Sequence, residues 1–411
     1  MQDPIQDKHI IVGVCGGIAA YKAADFVRLL IKSGANVSVV MTKAAQAFVG
    51  PLTFETLSGT PVWTEMFGGH QSHPLRHIEW ADKADATVVI PATANLIGKI
   101  AHGIADDPLT TFILAAKKPI LVCPSMNSRM YENPVVQDNI KRLSDAGVKV
   151  VEPDAGLLAS GDVGIGRLPA VEAIGESLRC LLSRQDLAEE RILITAGPTQ
   201  EPIDPVRFIS NPSSGKMGYA LGRAARRRGA DVILISGPSS LADPWGLKVI
   251  RVRTAEEMFK AVMAHASKST IIIKAAAVSD WRPARLYEHK VKKAEIEPSL
   301  PLEQTPDILK ALGKSKQDQV LVGFAAESRD LQENARAKLI EKNLDMVVAN
   351  LVGAGDSGFG SDNNQVTLFY QDGYTEAFPL MKKDALADLL LDRVVDIKKR
   401  GMITELNSRS N

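Results

Sequence analysis

Cysteine is scarce in this chain of 411 residues: there are three, Cys15, Cys123 and Cys180, odd in number and widely spaced. That pattern excludes a disulfide framework and a cysteine-rich zinc site, and it suits a reduced, cytoplasmic protein. Excess charge is also lacking. Lys and Arg together number 49 against 48 for Asp and Glu, a net charge of +1, so no overall field draws the chain to nucleic acid or an anionic membrane. No apolar run is long enough to span a bilayer, and the apolar stretch near the N-terminus reads as a strand followed by glycines, unlike a signal peptide. Two nucleotide signatures are missing as well, the Walker A pattern and GxGxxG. Nor is there a recognisable Ser/His or Cys/His pairing of the kind that activates a nucleophile.

What the chain does have is repeated strand-loop-helix text, over a length that exceeds one ordinary core. Two domains are expected, 1–185 and 191–411, joined by the charged connector SRQDLAEE. In the first, HIIVGVCGGIAAYKAADFVRLLIKSGANVSVVM reads as strand, glycine loop, helix ended by Gly34, and second strand. Gly13, Gly16 and Gly17 depart from the dinucleotide spacing. The second strand ends in Met41-Thr42-Lys43, without the acid a classical NAD site uses for ribose, so a mononucleotide phosphate such as that of FMN fits better. The strand Ala86 to Ile90 runs into PATANLIGKIAHGIADDPLTT, and the strand Ile120 to Val122 into CPSMN. Ligands of open α/β sheets gather at carboxyl ends of strands, so Thr93, Asn95, Met126 and Asn127 are expected to converge with Gly16, Gly17 and Thr42 on one crevice. His70, His73 and His77 invite a metal reading, but Pro74 breaks any helix that would align them and no cysteine or paired acid is near. The segment DAGLLASGDVGIGRLPA, from Asp154 to Ala170, carries four glycines without periodicity and reads as a mobile flap.

In the second half, RILITAGPTQEPIDPVRFISNPSSGKMGYALGRAARRRGADVILISG is a β-loop-α-β unit whose polar loop offers N–H groups and a helix N-terminus to an anion. NPSSG alone fits an ordinary turn with a helix cap equally well. Strands at Lys248 to Val252 and Thr270 to Lys274 follow, the latter ending in AAAVSDWRP. There Ala276 and Asp280 sit where a nucleotide and Mg²⁺ would be met, although Asp280 also fits a structural cap. EHKVKK supplies Lys290, Lys292 and Lys293, which either neutralise phosphates or form a solvated run. Pro306-Asp307-Ile308 opens a helix, the strand Gln319 to Gly323 leads into FAAE with Phe324, and Lys338 and Lys342 share a helix face that could equally be a solvent-facing stripe. Gly353 to Asn364 forms another glycine loop before a strand at Gln365 to Tyr370, and the last helix, Lys383 to Lys399, has packing periodicity only.

Taken together, GGIAAYK, PATAN, GIADD and PSMN resemble the flavin-dependent cysteine decarboxylases over about residues 8 to 180. ITAGPTQEPIDPVRFISNPSSGKMG resembles the signature of phosphopantothenate–cysteine ligases, and nearly the whole chain resembles the bifunctional proteins of coenzyme A synthesis. The resemblance implies two Rossmann-like α/β domains with parallel sheets, the first flavodoxin-like. In that family's chemistry FMN oxidises a cysteinyl thiol to a thioaldehyde, the adjacent carboxylate leaves, and the same flavin reduces the resulting enethiol. His77 would act near the thiol and Asn127 would hold the departing carboxylate. One departure stands out: where the decarboxylases usually read ACGD, this chain has Ala159-Ser160-Gly161-Asp162. A hydroxyl is a far poorer acid than a thiol of pKa about 8.5, so the final protonation is the step in question, and a chain with an impaired decarboxylase half is an open alternative.

For the ligase the resemblance implies that CTP activates 4'-phosphopantothenate as an acyl-cytidylate, with Mg²⁺ at Asp280, before the amine of L-cysteine displaces CMP. Asn211 would bind the acyl group, Lys290 the phosphates, and Pro306, Asp307, Ile308 and Phe324 the nucleoside, while Lys338 and Lys342 face the phosphates. A homododecamer built from trimers and dimers is also implied. Two other classes stay open, a two-domain nicotinamide oxidoreductase and a non-catalytic flavin-binding regulator.

Overall fold

The computed structural model describes residues 3–67, 75–117, 119–292, 299–327, 329–351 and 360–409. The chain divides into two compact units, one ending at Ser183 and the other starting at Arg184.

The first unit is a five-stranded parallel sheet of β1 (His9–Val14), β2 (Asn36–Met41), β3 (Ala86–Ala92), β4 (Ile120–Pro124) and β5 (Lys149–Val150), in the order β2-β1-β3-β4-β5. That is the flavodoxin-like order. Its strands are near-continuous apolar runs because helices cover both faces. Ile10, Val12 and Val14 pack with Phe26, Val27 and Leu30 of the helix Ala20–Lys32, whereas Ile11 and Val89 pack on the other face with Leu96, Leu109 and Phe112. Each such large side chain contributes roughly 1.5–3 kcal/mol on full burial. Gly34, at φ 83°, ends the helix as its sequence position implies. The flap segment is a hairpin of β6 (Asp154–Leu157) and β7 (Val163–Arg167), so its glycines conceal a regular antiparallel pairing.

The second unit runs through β8 (Arg191–Ala196), β9 (Gln200–Pro202), β10 (Phe208–Ser210), β11 (Asp231–Ser236), β12 (Lys248–Arg251), β13 (Ile271–Lys274), β14 (Trp281–Pro283), β15 (Leu302–Gln304), β16 (Val320–Glu327), β17 (Met346–Leu351), β18 (Asn363–Tyr370) and β19 (Thr375–Lys382). Eight of them form one sheet in the order β12-β11-β8-β13-β16-β17-β18-β19. It is parallel from β12 to β17, and β18 and β19 add antiparallel strands at one edge. Strand order reverses between β8 and β13, which opens a crevice at their carboxyl ends. Helices Lys216–Arg227 and Lys383–Arg409 lie on one face, and Ala255–Ala266, Ile308–Ser315 and Leu331–Glu341 on the other. Strand β16 runs on through Glu327, beyond the Gly323 expected from sequence, because β17 pairs with it as far as Leu351. The last helix likewise runs to Arg409 rather than Lys399. Among the described residues no helix is long and apolar enough to cross a membrane.

Candidate functional site

In the first unit a cavity of about 640 Å³ opens at the carboxyl ends of β1, β3 and β4. Gly16, Gly17, Thr93, Met126, Asn127 and Ser160 all line it. Gly16 is required by close approach: a Cβ there would lie 2.5 Å from the Ala44 Cβ and 2.8 Å from the Ala44 carbonyl oxygen. Thr93 caps the helix Ala94–Ala101, its hydroxyl accepting from the Leu96 N–H at 3.3 Å. Three expected residues do not line the cavity. Thr42 lies in the turn after β2, its hydroxyl accepting from the Ala45 N–H at 3.2 Å; Asn95 is exposed; and His77 sits half-buried on the helix Arg76–Lys83. His70 and His73 lie outside the described residues, and among the described residues no group of three or more His, Cys, Asp or Glu side chains could hold a metal ion.

The β6–β7 hairpin closes one side of this cavity by docking on the loop after β4. The Met126 N–H donates to the Gly166 carbonyl at 3.1 Å, and a Cβ on Gly166, at φ 145°, would stand 2.1 Å from the Met126 carbonyl oxygen. At the hairpin tip Asn127 Nδ2 donates to Ser160 Oγ at 3.0 Å, and Ser160 Oγ donates to Asp162 Oδ2 at 3.0 Å. The Asn127 Oδ1 caps the helix Ser128–Tyr131 through the Arg129 N–H at 3.0 Å, which fixes which way the amide points. The walls combine apolar side chains, including Met126, Leu157 and Leu168, with neutral polar groups and two cations, Lys22 and Arg167, that sequence reading missed. Such a mixture fits a planar amphiphilic ring system carrying a phosphate. Cys15 and Cys123 are buried, and burial pushes the Cys15 thiol up to about 12, so neither is a ready nucleophile.

In the second unit two cavities, of about 330 and 620 Å³, lie beside the switch point. Asn211, Ser213, Ser214, Gly215 and Ala276 line the smaller; Pro306, Asp307, Ile308 and Lys342 line the larger; and Lys274, Val278, Asp280 and Lys338 line both. Phe324 faces the smaller cavity from β16 itself, rather than from a loop after it. The NPSSG loop is held by Asn211, whose Nδ2 donates to the carbonyls of Ala277 at 3.1 Å and Val278 at 3.2 Å, leaving Oδ1 as its free end. Gly215 adopts φ 83° just before the helix Lys216–Arg227, and Gly218 lets that helix approach β8, where a Cβ would lie 2.9 Å from the Thr195 carbonyl. Asp307 caps the helix Ile308–Ser315 through the Lys310 N–H at 2.9 Å and pairs with Lys342. Burial alone would raise the Asp307 carboxyl, but these two partners outweigh it and hold it below its ordinary value.

Asp280 is exposed and faces both cavities. Lys290 is exposed on the segment after β14 and lines neither. Its neighbour Val291 is pinned, its carbonyl accepting from Arg207 Nη2 at 3.0 Å. Lys293 and residues 352–359 lie outside the described residues. Three lysines that sequence reading did not select line the smaller cavity: Lys216, Lys274 and Lys383. Lys216 pairs with Asp362 at 2.7 Å, and Lys383 Nζ donates to the Ser361 carbonyl at 2.6 Å. The available signal for Lys274 was a lone cation ending the apolar run TIIIK.

Two sequence families match. The one described as Flavoprotein covers residues 1–183, and the DNA/pantothenate metabolism flavoprotein C-terminal domain covers residues 187–397. The coenzyme A biosynthesis bifunctional protein CoaBC of Bacillus subtilis (strain 168) is 46% identical over 405 residues, spanning 96% of this chain and 98% of that protein. Its counterpart from Escherichia coli (strain K12) is 44% identical over 393 residues, spanning 94% of this chain and 97% of that protein. Among solved structures, the C-terminal domain of coenzyme A biosynthesis bifunctional protein CoaBC has 42% identity and a TM-score of 0.46, covering 53% of this chain and 99% of that one.

Proposed function

The chain belongs to the coenzyme A biosynthesis bifunctional proteins, enzymes that join lyase and ligase activities, and from that premise we propose that residues up to Ser183 form the decarboxylase and those from Arg184 the ligase. The ligase takes 4'-phosphopantothenate, L-cysteine and CTP. A carboxylate oxygen of 4'-phosphopantothenate attacks the α-phosphorus of CTP, and the bond to the β-phosphate breaks to release pyrophosphate. The cysteine nitrogen then attacks the acyl carbon, CMP leaves with the bonding electron pair, and the amine proton passes to solvent. Positioning and charge neutralisation carry such a reaction without a protein nucleophile. Asp280, together with the substrate phosphates, would hold Mg²⁺, a ligand set that ion commonly accepts, and the ion would supply charge neutralisation there. Asn211 orders the NPSSG loop beside the acyl group, Asp307 flanks the nucleoside, and Lys338 and Lys342 face the phosphates; Phe324 lines the cavity on the acyl side, and Lys290, outside both cavities before substrate binds, closes on the phosphates from the segment after β14.

The ligase product is the decarboxylase substrate. Gly16, Gly17, Thr93 and Met126, which line the cavity of the first unit, would hold FMN, and the flavin would supply the two-electron oxidation and reduction. Asn127 offers the substrate carboxylate a neutral donor, which does not over-stabilise the ground state. Ser160 and Asp162 form the proton path to the last intermediate. His77 reaches substrate across a subunit contact, since it lies outside the cavity of its own chain and shares its helix with the exposed Ile78, beside the exposed Leu75. Trimers of the first unit and dimers of the second then combine into a homododecamer.

The observation that carries this reading is the convergence of Asn211, Asp280, Lys338 and the Pro306-Asp307-Ile308 turn on one crevice at the switch point. Pyrophosphate release measured with CTP and with ATP at equal concentration tests it. CTP is expected to be turned over at least about tenfold faster, a difference of about 1.4 kcal/mol in transition-state binding. Equal rates would remove the nucleotide assignment.

A further inference from the structure

The two cavities of the second unit meet at a wall made by Lys274, Val278, Asp280 and Lys338. Lys274 Nζ donates to the Ala276 carbonyl at 3.3 Å, and Lys338 Nζ donates to the Phe324 carbonyl at 2.9 Å. An ammonium carries three donors, so each lysine has donors left over beyond its one backbone carbonyl. Asp280 attracts both ammonium groups from the same wall. Two half-buried cations on a shared wall repel each other, and an anion between them relieves both the repulsion and the unused donors. On the ligase reading, the acyl group lies beside Asn211 in the smaller cavity and the nucleoside beside Asp307 in the larger. The group of an acyl-nucleotide that lies between those two parts is its single phosphate.

We infer that Lys274, paired with Lys338, is the anchor for the phosphate that joins nucleoside to acyl group and stays bound through both half-reactions. This assignment rests on the ligase reading and adds a residue to it. It also explains why a lysine ends an otherwise apolar strand. Burial, reinforced by repulsion from Lys338, draws the Lys274 ammonium down to about 8, with Asp280 and Asp307 opposing the shift. Lys342, Glu327 and Glu341 also face the larger cavity, and Lys216 and Lys383 the smaller, but none of these five lines both.

Equilibrium binding of CMP and of cytidine to the full chain tests this. Lys274→Met is expected to weaken CMP binding by about ten- to a hundredfold, the loss of a charge-assisted contact, while cytidine binds as before. Lys274→Arg is expected to stay within about threefold of wild type for CMP. CMP affinity of the wild type should fall above about pH 8 as the ammonium is lost, and the arginine variant should remove that fall. Unchanged CMP binding in Lys274→Met would overturn the assignment, as would an equal loss of cytidine, which would mean disturbed packing. CTP turnover by the same wild-type preparation separates the two claims. Its absence would remove the ligase reading, whereas turnover with Lys274→Met binding CMP normally would remove only this inference.

Discussion

Asn211 holds its amide nitrogen between two carbonyl oxygens, and that geometry decides what the position tolerates. Asn211→Asp would set a carboxylate against both oxygens and place negative charge beside an anionic intermediate. The variant should lose most amide formation and about 1–3 kcal/mol of stability in the second unit, read by product assay and thermal melting. Wild-type rates would exclude Asn211 from the site. Ser160 offers a second single-residue test. Its hydroxyl already bridges Asn127 and Asp162, so a relay from solvent through Asp162 needs no new geometry. Ser160→Cys should raise the rate of saturated product, and Ser160→Ala should lower it while the first turnover still releases one carbon dioxide per flavin; if both match wild type, the proton comes from elsewhere. The sequence marked most of these residues because they sit in polar loops between apolar strands, where chemistry is exposed to a reader. Lys274 escaped because its significance comes from burial and from Lys338 on another element, and neither is visible in a linear text.

Among the elements, the β6–β7 hairpin shows most clearly where reading stopped. Four glycines removed the side-chain alternation that announces strands, so the segment looked irregular, yet backbone pairing and the hydrogen bond from the Met126 N–H to the Gly166 carbonyl make it regular. Gly166→Ala should push the hairpin off that loop, because φ 145° is strained for alanine and the Cβ would collide with backbone. Decarboxylation is expected to fall at least about tenfold with ligase activity unchanged. A normal rate would mean that the hairpin does not close over substrate. The sheets themselves were legible: short apolar runs followed by a polar loop and a helical pattern, several of these helices ending at a glycine such as Gly34 or Gly229, mark parallel strands in both units. Exact ends were not. The strand expected at Gln319 to Gly323 stops short, and only the ladder with β17 carries it through Phe324 to Glu327.

At the level of the whole molecule, two units with separate cores allow each reaction to be removed without the other. Lys290→Gln is expected to lose most ligase rate while the purified protein keeps its flavin, measured by visible absorbance; loss of flavin would contradict the division of labour. The central claim is that one chain performs ligation and then decarboxylation. The direct measurement is mass analysis of products after supplying the wild-type protein with 4'-phosphopantothenate, L-cysteine, CTP and Mg²⁺. The expected result is 4'-phosphopantetheine, with CMP, pyrophosphate and carbon dioxide formed in equal amounts. Recovery of unchanged 4'-phosphopantothenate and CTP, or accumulation of the ligated cysteine adduct with its carboxylate intact, would contradict it.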